Sequence, residues 1–205
     1  MICSIVLAAG QSRRMGTQKL LLPFAGSTMI GHILSCVLRS PVQHTVVVVG
    51  HGAAAVSATV QEFDVAVVTN DYPDGDMLSS IRCGLRALPP GYDAVLVVLG
   101  DQPSVTVELI TQLIDAYSGG HARIVVPTYE GRRGHPMLLA AAFRDEVLGR
   151  YDGVGLRGLL ESHAEDVLEV PVADDGVVSD VDVPDDYRRA VKKLTQRQPR
   201  GGTAT

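Results

Sequence analysis

The feature that most limits what this chain can fold into is a set of short, unbroken apolar runs. Thr45-Val-Val-Val-Val49 and Ala94-Val-Leu-Val-Val-Leu99 show no polar alternation, and each ends directly on a glycine. A strand with one wet face alternates apolar and polar residues, whereas a strand covered on both faces does not. Between these runs lie stretches with apolar residues at helical spacing: Met29, Ile30, Ile33, Leu34 and Val37; Ile81, Leu85 and Leu88; Leu109, Ile110, Leu113 and Ile114. Strands alternating with helices read as repeated βα units with right-handed crossovers. The expected fold is α/β: three αβα layers around a mostly parallel, Rossmann-like sheet.

The same reading places strands at Ile2–Leu7, Val65–Val68, Arg123–Pro127 and Val167–Val170, with a short extended piece at Leu20–Pro23. Ser27 and Thr106 are expected as helix caps. The βα rhythm breaks at Tyr129, where Glu130–Gly134 reads as a turn and Pro136–Leu139 as a short antiparallel strand. Helices are expected at Ala141–Leu148 and Leu156–Glu161. Pro184 suits the first turn of a last helix ending near Leu194. Residues 195–205 are polar, Gly-rich and aperiodic, which predicts a disordered tail after one domain spanning 1–194.

At 205 residues one α/β domain with a real core is affordable. Net charge is −5, which argues against a nucleic-acid partner. No apolar run approaches membrane-spanning length, and no cationic segment precedes Ile2, so no membrane role and a cytoplasmic location are expected. Cys3, Cys36 and Cys83 lack metal-ligand spacing and read as buried small hydrophobes in a reducing compartment.

The first apolar run gives way abruptly to Leu7-Ala-Ala-Gly-Gln-Ser-Arg-Arg-Met-Gly-Thr-Gln-Lys19, with Arg13, Arg14 and Lys19 in seven positions. Glycine lets backbone N–H groups approach an anion, and the cations balance its charge. This suits a polyphosphate better than a packed turn, although a solvated loop with chance arginines has the same composition. It is neither a Walker A loop nor the dinucleotide fingerprint. Ligands of open parallel sheets bind beyond the carboxyl ends of the strands. That edge should gather this loop, Asn70–Asp76, Gly100-Asp-Gln-Pro103 and Asp180-Val-Asp182. Asp101 is placed either to hold a metal against a phosphate or simply to start a turn. Asp180 and Asp182 should share a side of an extended segment, a costly arrangement without a cation. Ser79 and Ser80 suit a helix start, Arg82 an anion or solvent, and Gly134-His135-Pro136 after Arg132-Arg133 an anion site.

The pattern Leu-Ala-Ala-Gly-x-Ser-x-Arg-Met-Gly-x-x-Lys resembles the signature loop of MobA-like NTP transferases, nearest to their molybdenum cofactor cytidylyltransferase branch. The likeness runs from Ile2 to about Leu194 and implies a nucleotide-diphospho-sugar-transferase-like fold. It implies Leu7, Ala8, Ala9, Gly10, Arg13, Lys19, Asn70, Gly75 and Ser79 at the nucleotide, with Arg13, Lys19 and Asp101 catalytic. It further implies Asp101 and Asp182 as ligands of Mg²⁺, the expected cofactor, and Arg133 and His135 at the acceptor. In that family the position of Ala9 is Gly in guanylyl-transferring members and Ala in cytidylyl-transferring ones. A methyl group there leaves less room for a purine. The expected partners are therefore CTP and a phosphorylated acceptor, molybdenum cofactor foremost, with a molybdenum enzyme as a further partner. The alternatives are GTP, a sugar-phosphate acceptor, or a nucleotide-binding partner protein without turnover. The stretch Gly75-Asp-Met77 departs by one residue from the family's Gly-Met.

Overall fold

The computed structural model describes residues 1–50, 52–72, 76–120 and 122–197, with Arg13 and Arg197 described by their backbone alone. Its strands are β1 (Ile2–Ala8), β2 (Pro23–Phe24), β3 (Ser27–Thr28), β4 (His44–Gly50), β5 (Ala66–Asn70), β6 (Ala94–Leu99), β7 (Ile124–Tyr129), β8 (Arg132–Arg133), β9 (Met137–Ala140) and β10 (Val167–Pro171). The helices are α1 (Met29–Leu38), α2 (Ala54–Val60), α3 (Met77–Ala87), α4 (Val107–Ser118), α5 (Arg144–Gly149), α6 (Leu156–Ser162) and α7 (Pro184–Arg197).

The main sheet runs in the order β10-β7-β9-β6-β1-β4-β5, with β8 paired to β7. Neighbours on the path are parallel except at β9, which is antiparallel to both β6 and β7. Every residue of β6 is buried, as its unbroken apolar run predicts. Strand residues alternate between two cores. Val6, Val47, Leu96 and Val98 pack with α1, α2 and α4 on one face. Ile5, Val46, Val48, Val95 and Val97 pack with α3, α5 and α6 on the other. Three layers result, as expected.

Several local expectations shift. The cap of α1 is Thr28, whose hydroxyl accepts from Gly31 N–H at 3.1 Å, while Ser27 pairs with Phe24 across the β2–β3 hairpin. Thr106 caps α4 as expected, accepting from Leu109 N–H at 3.1 Å. Leu20 belongs to a 3₁₀ turn, Lys19–Leu21, rather than to an extended piece. Ala141–Phe143 is likewise a 3₁₀ turn, and α5 starts only at Arg144. Helix α7 continues through residues 195–197, so the expected tail boundary falls inside it; the rest of that tail lies outside the described residues. Cys3 and Cys36 are buried, but Cys83 is only half-buried on α3, its thiol donating to the Thr69 carbonyl at 3.4 Å.

From β1 the chain steps outward to β4 and β5, then returns to β6 on the other side of β1. The carboxyl ends of β1 and β6 therefore flank a topological switch point, where open α/β sheets open a crevice. Two glycines set its geometry. A Cβ on Gly100 would lie 2.5 Å from the Leu7 carbonyl oxygen, and one on Gly50 would lie 2.8 Å from that of Ala9. The loop leaving β1 fits between β4 and β6 because both neighbours lack side chains there.

Candidate active site

The loop after β1 is held by its own side chains. Ser12 at φ 49° and Gly16 at φ 67° bracket a 3₁₀ turn, Arg13–Met15. The Ser12 hydroxyl donates to Gln18 Oε1 at 2.8 Å and accepts from the Lys19 N–H at 3.2 Å. This brings Lys19 back under the loop, where its side chain is only 8% exposed.

A buried ammonium needs anionic partners, and Lys19 has two. Its Nζ donates to Asp101 Oδ2 at 2.7 Å and to Asp182 Oδ1 at 2.9 Å. The exposed Arg14 guanidinium lies 3.0 Å from Asp182 Oδ2. Burial alone would depress the Lys19 pKa, but the two carboxylates outweigh it and the pKa is raised. Asp101 is itself raised, because its own burial exceeds the help from Lys19. The two acidic segments are tied together directly, since Val181 N–H donates to the Asp101 carbonyl at 2.9 Å. Asp180 accepts from Gln102 Nε2 at 2.7 Å. Asp186 Oδ2 receives the N–H groups of Asp182 and Val183, both at 2.9 Å, and these hold its carboxyl below the usual range.

The donor set suits a hard divalent ion shared with a substrate. Two carboxylates already converge on one cationic atom, and such ions take one or two carboxylates and fill their shell with phosphate oxygens and water. Among the described residues, no group of three or more His, Cys, Asp or Glu side chains is arranged to hold a metal alone.

A cleft of about 210 Å³ opens beside this cluster. Leu7, Ala9 and Gly10 line it from the loop, Asp101 and Asp180 from the acidic end, and Asn70, Tyr72 and Met77 from β5 and the start of α3. Ala8 points instead into the core and is 2% exposed. Asn70 is buried, and its amide is committed within the protein. Nδ2 donates to Ser79 Oγ at 2.9 Å and Ser80 Oγ at 3.0 Å, while Oδ1 accepts from Tyr72 N–H at 3.2 Å. Asp76 caps α3 through Ser79 N–H at 2.9 Å.

Other expected site residues fall elsewhere. Arg133 pairs with Glu169 on β10 at 2.8 Å. His135 lines a separate small depression with Gln102, Pro136 and Val177. Burial lowers its pKa to about 4, with the Asp101 charge opposing the shift. Arg82 meets an anion of the protein itself, the Asp152 carboxylate at 2.6 Å, and not a ligand site. It anchors α3 to the segment after α5 through the Val147 and Arg150 carbonyls and Asp152. Gly75 and the Arg13 side chain lie outside the described residues. Arg14 is the arginine seen in the cluster, and the signature pattern, with its arginine directly before Met-Gly, marks that same position. Tyr72 and Gln102 fall within segments the sequence places at this edge, and Met77 directly follows one, but none receives a role of its own from the sequence.

Comparison with known proteins adds the following. Residues 4–167 match the family described as the MobA-like NTP transferase domain. The bifunctional protein GlmU of Mycobacterium ulcerans is 36% identical over 133 residues, covering 60% of this chain and 27% of that protein. The chain thus spans about a quarter of that relative's length. The nicotine blue oxidoreductase of Paenarthrobacter nicotinovorans is 29% identical over 197 residues, covering 92% of this chain and 95% of that one. The crystal structure of Rv0371c from Mycobacterium tuberculosis H37Rv superposes with a TM-score of 0.82 at 30% identity, over 93% of this chain and 97% of that one. Rv0371c has also been solved as a complex with manganese. No described helix of the present chain is long and apolar enough to cross a membrane.

Proposed function

The chain belongs to the MobA-like NTP transferase family, and on that footing we propose that it is a Mg²⁺-dependent cytidylyltransferase acting on a phosphorylated acceptor, molybdenum cofactor foremost. The observation that carries this reading is the convergence of Lys19, Arg14, Asp101 and Asp182 at the switch point of the sheet. Cations for a triphosphate and carboxylates for a divalent ion lie within one cluster there.

In the reaction a terminal phosphate oxygen of the acceptor attacks the α-phosphorus of the nucleotide, and pyrophosphate leaves. A phosphate monoester has its second pKa near 6, so the acceptor is mostly ionised at neutral pH and needs no general base. The chain's task is positioning and charge neutralisation. Asp101 and Asp182 would hold the metal, which when bound would offset charge on the reacting phosphate. Lys19 and the loop cations, Arg13 and Arg14, supply the positive charge that balances the leaving pyrophosphate. The backbone of Ala9 and Gly10 lines the nucleotide cleft, and Asn70 and Ser79 shape its far side. The Ala9 methyl, on a residue that lines the cleft and whose backbone packs close against Gly50, favours a pyrimidine. His135 and Arg133 are proposed on the acceptor side.

The test is pyrophosphate release over the four NTPs against a panel of phosphorylated acceptors, including sugar phosphates and molybdopterin carrying molybdenum. Release with CTP and molybdenum cofactor is expected. Reduction of nicotine blue without any pyrophosphate release would point instead to the chemistry in the name of the P. nicotinovorans relative.

A further inference from the structure

Exposed large apolar side chains are ordinary when scattered, but two of them share this cleft. Among the described residues, Tyr72 is 73% exposed and Met77 is 49% exposed, and both line the wall opposite in sequence to the acidic end. The sheet order β6-β1-β4-β5 puts three strand spacings, about 14 Å, between the strand that delivers Asp101 and the one that delivers Tyr72. The cleft thus has Asp101 and Asp180 at one end, with Lys19 and Arg14 paired to the carboxylates of that cluster, and Tyr72 and Met77, beside Asp76, at the other; phosphates with a divalent ion suit the first end and a base the second.

Tyr72 is also held deliberately. The buried Asn70 amide receives the Tyr72 N–H and simultaneously grips Ser79 and Ser80 in the first turns of α3. One side chain thereby fixes the Tyr72 backbone relative to the helix start that carries Met77. Asn70 thus lines the cleft and spends its amide bonds on holding that wall together.

Resting on the nucleotidyltransferase reading, we propose that Tyr72 is the nucleobase-stacking residue of this site, with Met77 completing the apolar slot. Aromatic rings stack on any base face and tolerate different bases. Selection between purine and pyrimidine then falls to Ala9 at the inner wall, and Tyr72 supplies affinity.

The chain contains no tryptophan, so Tyr72→Trp introduces a single, unambiguous fluorophore. Its emission should be quenched by CTP with Mg²⁺ and unchanged by inorganic tripolyphosphate with Mg²⁺. By calorimetry, Tyr72→Ala should weaken CTP about ten- to a hundredfold, the range for loss of one base–aromatic stack. Its tripolyphosphate affinity should stay as in wild type, and Tyr72→Phe should keep wild-type CTP affinity. Equal CTP affinity in wild type and Tyr72→Ala overturns this assignment alone. Equal losses for CTP and tripolyphosphate do the same, because they would mark a general structural effect. A wild-type protein that binds no NTP overturns the nucleotidyltransferase reading, and this assignment with it.

Discussion

Replacing Lys19 by methionine keeps the apolar stem and removes the charge. In the present structure that charge touches both Asp101 and Asp182, at 2.7 and 2.9 Å, from a side chain 8% exposed. Taking one partner from a buried pair costs about 3–5 kcal/mol because the other charge is left uncompensated. Asp101 and Asp182 retain 27% and 36% exposure, so solvent screening reduces this to about 2–3 kcal/mol. For a chain of this length that is roughly 4–12 °C in Tm. The pH dependence follows from the signs. Lys19 has a raised pKa, so its stabilisation is fully present at neutral pH and lost only as pH rises past the raised value. The Asp101 carboxyl is already raised by burial, and loss of Lys19 raises it further. Folding then favours its protonated form, so the gap between variant and wild type should narrow as pH falls towards the raised Asp101 value. Mg²⁺ should stabilise Lys19→Met more than wild type, because the carboxylates no longer hold an internal cation. Turnover should fall about a hundred- to a thousandfold, the scale for removing one preorganised donor. Thermal denaturation from pH 5 to 8, with and without Mg²⁺, checks all of this. A variant as stable as wild type and indifferent to Mg²⁺ would refute the account of the cluster.

Asp101→Asn should retain the fold and lower kcat at least about a hundredfold, measured by pyrophosphate release at saturating Mg²⁺. Ala9→Gly should narrow the ratio of kcat/KM for CTP over GTP by up to about tenfold, without inverting it, because contacts to the base edge also contribute to the choice. Asp186→Asn removes an ionised acceptor from the N–H groups of Asp182 and Val183, a capping interaction at the start of α7 worth about 1 kcal/mol. The lowered Asp186 pKa means that this contribution is present above the ordinary carboxylate range and lost as pH falls through the lowered value. Urea titrations at pH 7 and pH 3 should therefore differ in the cost of the substitution.

The parts of this fold legible in the sequence were those governed by periodicity. The unbroken run at Ala94–Leu99 could only be covered on both faces, and β6 is the central strand whose end carries Asp101. The break after Tyr129 foretold β9, which enters antiparallel between β6 and β7. What periodicity cannot reach is orientation within irregular segments. Charge and periodicity do not separate Arg13 from Arg14; only the signature pattern, with its arginine before Met15-Gly16, marks the Arg14 that meets Asp182. The family resemblance implies Asn70 as a ligand contact, yet its amide is consumed by Ser79, Ser80 and Tyr72, partners that only the meeting of β5 and α3 supplies. Arg133 has the charge for an anion site, but the hairpin places it beside Glu169. Ser27 and Thr28 are equally good caps by type, and the β2–β3 hairpin selects the second.

The most direct measurement of the central claim follows the phosphorus atoms themselves. With protein, Mg²⁺, CTP and molybdenum cofactor, ³¹P NMR should show the acceptor monoester replaced by a pyrophosphate linkage. One inorganic pyrophosphate should form for each acceptor consumed, and neither change should occur with Asp101→Asn. Persistence of the monoester signal with wild-type protein under every NTP and acceptor tried, while the protein remains folded, would contradict the assignment of this cluster as a nucleotidyl-transfer site.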